Sequence, residues 1–148
     1  MRSLLGLFAM GMGLFFLAGF AGVSEPRTRS DRDIEILVVY DNYCCRSDLE
    51  TGWGFSCLIR GMEKTLLFDT GGSGAVLMRN MDKMAISPEE VDAVVLSHIH
   101  GDHTGGMQAV LERKGNVTVY APASFPDRFK EAVRSYGAEV VSVGEPVP

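Results

Sequence analysis

The stretch Asp92-Ala93-Val94-Val95-Leu96-Ser97-His98-Ile99-His100-Gly101-Asp102-His103-Thr104-Gly105-Gly106 governs the reading of the whole chain. Ala93 to Leu96 form a continuous apolar run, the pattern of a strand buried on both faces. All three histidines of the chain follow that run, in the spacing H-x-H-x-D-H. Random placement would produce this arrangement with odds on the order of one in 10⁵. Neutral imidazole is the commonest side-chain ligand of zinc-like metals, and carboxylate is another. On extended backbone His98 and His100 point the same way, so both can hold one ion. Gly101 lets the chain turn sharply, and Asp102 and His103 can then reach a second ion. Two ions about 3.5–4 Å apart can share a hydroxide and clamp both ends of a displacement. The neighbouring glycines let backbone approach closely and leave the metals open to substrate. Unrelated surface or core histidines are the plain alternative. Clustering at the end of a buried strand in an α/β pattern argues against it.

Working outward, the chain alternates strand-like and helix-like segments. Ile34 to Tyr40 is β-branched and apolar, and Gly54 to Ile59 and Thr65 to Phe68 read as two more strands joined by a turn at Gly61. Gly71-Gly72-Ser73-Gly74 breaks the pattern, after which Leu77, Met81 and Met84 recur at helical spacing. Met78, Met81 and Met84 read as packing on a helix face. Ser87-Pro88-Glu89-Glu90 is a capping box with proline at the first helical position. Met107, Val110 and Leu111 mark a short helix closed by Gly115. Val117 to Tyr120 is a strand. Phe129, Ala132, Val133 and Tyr136 fall on one face of a helix ended by Gly137, and Glu139 to Val143 is a last strand. The fold class is α/β, hairpin-rich at first and built of βα units afterwards.

Composition bounds the rest. The chain has 148 residues, 46% of them hydrophobic, which suits one domain with a core. Its formal net charge of -5 argues against a nucleic-acid partner, since phosphate binding usually needs a basic face. Residues 1–23 read as an export signal or an uncleaved membrane anchor, because Arg2 precedes an uncharged, almost wholly apolar run from Leu4 to Val23. A buried core helix is the third reading of that run. The first two place the remainder outside the cytoplasm, with association at a membrane if the anchor is kept. Residues 24–33 form a charged, proline-containing linker. The three cysteines allow one bridge, Cys57 to Cys44 or Cys45, or three free buried thiols. Tyr43 and Trp53 lie between the first two strands, where partial burial in the core is the commoner fate of an aromatic.

The segment Ser97 to Gly106, preceded by Asp92 to Leu96, resembles the metal-binding signature of the metallo-β-lactamase superfamily. Leu66-Leu67-Phe68-Asp69-Thr70-Gly71 resembles that superfamily's first motif. Gly54-Phe55-Ser56, Phe68 to Gly71 and Tyr120-Ala121-Pro122 are most similar to one branch, related to dihydropterin ribofuranosyl-aminobenzene phosphate synthases. The resemblance spans Ile34 to Val143 and implies an αβ/βα sandwich of which this chain supplies the N-terminal half. It implies that His98 and His100 bind a first ion and that Asp102 and His103 bind a second. Asp102 would also orient the metal-activated water, the catalytic role. Asp69 would sit behind the site and stabilise its loop. The loop carrying Tyr43 and Trp53 would lie near the mouth of the site. The cofactor implied is one or two Zn2+ ions, with Mn2+ or Fe2+ as alternatives.

The implied activity is hydrolysis of a small-molecule ester, amide, thioester or phosphodiester. The branch adds pterin-related synthase chemistry, and a degenerate, non-catalytic metal binder is a further reading. β-Lactamase activity in the antibiotic-resistance sense is not implied. The family pattern also requires a later histidine for each ion and a bridging acid, yet no histidine follows His103. The domain from residue 34 to 148 is therefore expected to be incomplete, about half the family's full fold, and to lack full activity alone. Two rivals are weaker. Asp69-Thr70-Gly71 also fits an aspartic protease, but only one copy is present and the histidines go unexplained. The glycines at 71–74 lack the Gly-Lys-Ser/Thr ending of a nucleotide loop and read as a turn between strand and helix.

Overall fold

The computed structural model describes residues 33–43 and 46–145. The signal or anchor at 1–23, nearly all of the linker, and Cys44 and Cys45 lie outside the described residues. Among the described residues no helix is long and apolar enough to cross a membrane.

Six strands form one sheet in sequential order: β1 (Glu35–Tyr40), β2 (Ser56–Arg60), β3 (Leu66–Phe68), β4 (Ala93–Val95), β5 (Thr118–Pro122) and β6 (Glu139–Val143). The first three pair antiparallel and β3 to β6 pair parallel. Parallel neighbours need crossovers, which here carry helices α1 (Gly74–Lys83), α2 (Gly101–Thr104), α3 (Met107–Arg113) and α4 (Asp127–Ser135). A one-turn 3-10 helix at Pro88–Glu90 precedes β4, with the expected capping box in place. Strand order never reverses, so crossovers of one hand put the helices on the same face. The core is accordingly one-sided. Leu58, Leu67, Val94 and Val119 meet Leu77, Met81, Val110, Leu111 and Val133 there.

The opposite face carries Ile36, Val38, Ile59, Phe68, Val95, Tyr120 and Val141, half-buried or exposed, with Ile36 62% and Val38 40% accessible. Val95 thus departs from the expectation of a strand buried on both faces. The helix side of β4 is sealed and its other side is half open.

Two local features matter for the site. The β1–β2 register shifts between Val38 and Tyr40, which buries consecutive residues Val39 and Tyr40 in the same core cluster. The Tyr40 ring then lies under Gly71, where an added Cβ would stand 2.4 Å from it. Tyr43 and Trp53, by contrast, are 78% and 76% exposed, so the expectation of partial core burial fails for both. Their loop is tied instead to α1 through Glu50 and Asn80 and to the turn after β3 through Phe55 and Gly71.

Cys57 is a buried free thiol on β2. Burial, with the Asp69 charge adding to it, raises its pKa above the usual 9.0. The folded thiol keeps its proton where the unfolded one loses it. Stability from this group is whole below about pH 9 and falls as pH rises through the folded value. Alkylation by iodoacetamide at pH 9 is expected to be slow until denaturant is added, as mass spectrometry would record. Rapid labelling of Cys57 itself, told apart from Cys44 and Cys45 by peptide mapping, would contradict this burial.

Candidate metal centre

β3 and β4 are parallel neighbours, with Phe68 opposite Val95, so the loops leaving their C-terminal ends emerge side by side. That is where open α/β sheets place ligands. Asp69 follows β3, and Ser97 to His103 follow β4. Asp69 N–H donates to the Val95 carbonyl at 2.9 Å and Leu96 N–H to the Tyr120 carbonyl at 2.9 Å, extending the ladder to the threshold of the site. His100 is still extended (φ −61°, ψ 145°), and α2 begins directly after it. The turn at Gly101 is therefore an ordinary helical one. A side chain there would meet nothing within 4 Å, so the expected conformational need for glycine is absent. The helical turn, not a glycine kink, brings Asp102 back toward His98.

Close backbone approach is required at Gly106 and Gly54. A Cβ on Gly106 would lie 2.1 Å from the Thr70 carbonyl oxygen, and one on Gly54 would lie 2.0 Å from the Asp102 carbonyl oxygen. Gly54 also holds φ +132°, a value open to glycine. The Thr70–Gly72 loop is thus clamped onto the start of α3. Thr70 N–H and hydroxyl both donate to the His103 carbonyl, at 2.8 and 3.0 Å, and Gly106 N–H donates to the Gly71 carbonyl at 3.2 Å. The glycine run after β3 serves as this clamp and as the lead into α1. Gly106→Ala is expected to cost about 2–3 kcal/mol by overpacking, read from urea unfolding. A cost near zero would mean the clamp is looser than described.

Asp69 is the hub beneath the histidines. It is 1% exposed and holds the left-handed backbone conformation (φ 52°), which aspartate tolerates better than most residues. Its Oδ1 accepts from Ser97 N–H at 2.8 Å, and its Oδ2 from the Ser97 hydroxyl at 2.6 Å. Oδ2 also lies 2.7 Å from His103 Nδ1. A carboxylate so saturated leaves no face for the shared proton of an aspartic protease dyad. Its own carbonyl is held by the Ser56 hydroxyl at 2.7 Å.

Above the hub, one ligand atom from each of His98, His100 and Asp102 lies within 4.8 Å of the others. Two imidazoles and a carboxylate are a donor set that divalent zinc-type ions accept, and their spacing suits convergence on a single ion. The His103 ring lies tilted against that of His98, with centroids 4.1 Å apart and planes inclined by 49°, and its Nε2 is 3.6 Å from Asp102 Oδ2. All four sequence-derived candidates therefore meet in one place. Asp102 thus lies beside His98 and His100 and also beside His103, the residue with which the resemblance pairs it. Ser97 opens the signature and Tyr40 ends the first strand, but the sequence assigns neither a part in the centre. The only signal for Ser97 was its place between the buried strand and the first histidine.

Known proteins agree with this picture. Residues 53–148 match the profile of the metallo-beta-lactamase superfamily. A 7,8-dihydropterin-6-methyl-4-(beta-D-ribofuranosyl)-aminobenzene-5'-phosphate synthase from Methanocaldococcus jannaschii is 33% identical over 85 residues, 54% of this chain and 29% of the relative. A hydroxyacylglutathione hydrolase from Aeromonas salmonicida is 36% identical over 69 residues, 47% of this chain and 26% of the relative. The match thus spans under a third of either curated relative. Among solved structures, the metallo-beta-lactamase fold protein YhfI from Bacillus subtilis superposes with a TM-score of 0.58 at 19% identity, over 78% of this chain and 49% of that one, a likeness of fold. A matched profile over most of the chain, the shared fold and the histidine cluster at the strand ends lead to one conclusion: the chain belongs to the metallo-beta-lactamase superfamily.

Proposed function

We propose that this chain contributes the first-motif and histidine-motif half of a metal-dependent hydrolase centre. The observation that carries the reading is the convergence of His98, His100 and Asp102 on a common point at the ends of β3 and β4. When bound, one or two Zn2+ ions (or Mn2+ or Fe2+) would supply Lewis acidity and lower the pKa of water toward neutrality. The protein's own part is to aim the donors. Asp69 holds His103 and Ser97 from below, and α2 carries Asp102 up beside His98. In this reading Asp102 would orient the attacking water while His98 and His100 would hold the ion.

The substrate class proposed is a small-molecule ester, amide, thioester or phosphodiester, in keeping with a relative named as a hydroxyacylglutathione hydrolase. The net charge of -5 supports a partner other than nucleic acid. Pterin-related synthase chemistry is the second reading, favoured by the 33% identity to the archaeal synthase. Export, or tethering at a membrane, is proposed from the sequence of residues 4–23 alone.

Metal analysis of the purified chain beside a His98→Ala, His100→Ala double variant tests the site. With Zn2+ supplied in the dialysis buffer, the parent is expected to bind an ion weakly, since the later ligands of the family pattern are missing, and the double variant to bind none. Equal metal content in both would refute the ligand assignment. Incubation with a strong chelator should strip the parent to the level of the variant.

A further inference from the structure

Each imidazole can offer a metal only the ring nitrogen that lacks a proton, so the partner of the other nitrogen decides which one that is. His103 is settled directly, since its Nδ1 lies 2.7 Å from an acceptor-only carboxylate oxygen of Asp69 and must donate to it. His98 has no contact with that carboxylate. Its Nδ1 lies 2.8 Å from the Ser97 hydroxyl oxygen. That hydroxyl has one proton and two neighbours, Asp69 Oδ2 at 2.6 Å and His98 Nδ1 at 2.8 Å. A short O–H to carboxylate bond is charge-assisted and the stronger of the two, so the proton goes to Asp69. The oxygen's lone pair is then what faces His98, and Nδ1 must carry the hydrogen.

We propose that Ser97 is a positioning residue that relays the Asp69 carboxylate to His98. It fixes the Nδ1–H tautomer there and leaves Nε2 as the free donor, so one buried acid sets two imidazoles at once. The metal consequence rests on the proposed function; the tautomer itself does not.

The test uses the full chain, stripped of metal, at about pH 8.5, where free imidazole is neutral. Long-range proton–nitrogen NMR reports the tautomer of each histidine. In the parent, His98 and His103 are both expected as Nδ1–H. In Ser97→Ala, His98 should move toward the Nε2–H form while His103 stays unchanged as an internal control for folding. Ser97→Thr, which restores a hydroxyl, should restore His98. Zn2+ titration should show about tenfold weaker binding to Ser97→Ala and recovery in Ser97→Thr.

An unchanged His98 tautomer in Ser97→Ala, or an Nε2–H form in the parent, overturns the relay. If the tautomers behave as expected but none of the three proteins binds Zn2+, the relay stands and the metal reading fails. If all three bind equally with His98 unchanged, the reverse holds. Should Ser97→Ala unfold, giving solvent-like signals at both histidines, Ser97→Val, which has the shape of Ser97→Thr without its hydroxyl, takes its place with the same criteria.

Discussion

Asp69→Asn is expected to leave a folded chain whose Zn2+ affinity falls ten- to a hundredfold. Asparagine also tolerates the left-handed backbone found at this position, so the loop need not move. What changes is the direction of the hydrogen bonds. The side-chain amide can still accept from Ser97 N–H through its oxygen. The NH2 group then occupies the place of Oδ2, where both the Ser97 hydroxyl and His103 Nδ1 now meet a donor instead of an acceptor. His103 Nδ1 must accept, which moves its hydrogen to Nε2. The Ser97 proton turns to His98 Nδ1 and moves the hydrogen there to Nε2 as well. Two of the three imidazoles then present protonated nitrogens where lone pairs stood. The loss of a charged acceptor should cost only about 1–3 kcal/mol of stability. Competitive Zn2+ titration beside thermal unfolding separates the two effects. An affinity within twofold of the parent would sink the hub role of Asp69.

Asn80→Leu is expected to be the most destabilising single change away from the centre. Asn80 is polar yet 1% exposed, on the buried side of α1. Its amide donates to the carbonyls of Val39 and Glu50, each at 2.9 Å, and its oxygen accepts from Glu50 N–H at 2.8 Å. One side chain therefore ties β1, the loop before β2 and α1 together. Leucine has similar volume but leaves those backbone groups without partners, the Val39 carbonyl in the dry core. Burying such a group unpaired costs about 1–3 kcal/mol, and the three together on the order of 3 kcal/mol because Glu50 can reach water. The thermal midpoint should drop on the order of 10–20 °C. Glu50 also pairs with Arg79 on the surface at 2.6 Å, and that guanidinium holds its carboxyl below the usual range. The pair is exposed, so Arg79→Ala should barely move the midpoint. If the two variants melted together, the buried clip would carry no special weight.

The strands and helices were legible because their signals are local. Leu77 and Met81, or Phe129 and Val133, recur at helical spacing within a single element, and both elements formed as read. Ser87-Pro88-Glu89-Glu90 carried its own start signal and formed the capping box it spells. The histidine motif was legible for the same reason, since His98, His100, Asp102 and His103 span barely two turns of chain. Missed features had non-local causes. Val95 was expected to be covered on both faces, but apolar character does not tell whether a second layer is present. Trp53 and Tyr43 were expected to pack inward, but their loop is held by distant partners, Asn80 on α1 and Gly71 after β3, and both rings stay exposed.

Sequence by itself determined the α/β alternation, the superfamily and the identity of the candidate ligands, because each depends on residues close together in the chain. Only the tertiary structure decided that Asp69 grips Ser97, 28 positions away, and His103, 34 positions away, and that Asn80 reaches Val39 across 41. Those contacts exist because β3 and β4 lie parallel and side by side, and α1 packs on β1. Neither adjacency is written in any local pattern. The direction of each proton in the centre depends on them.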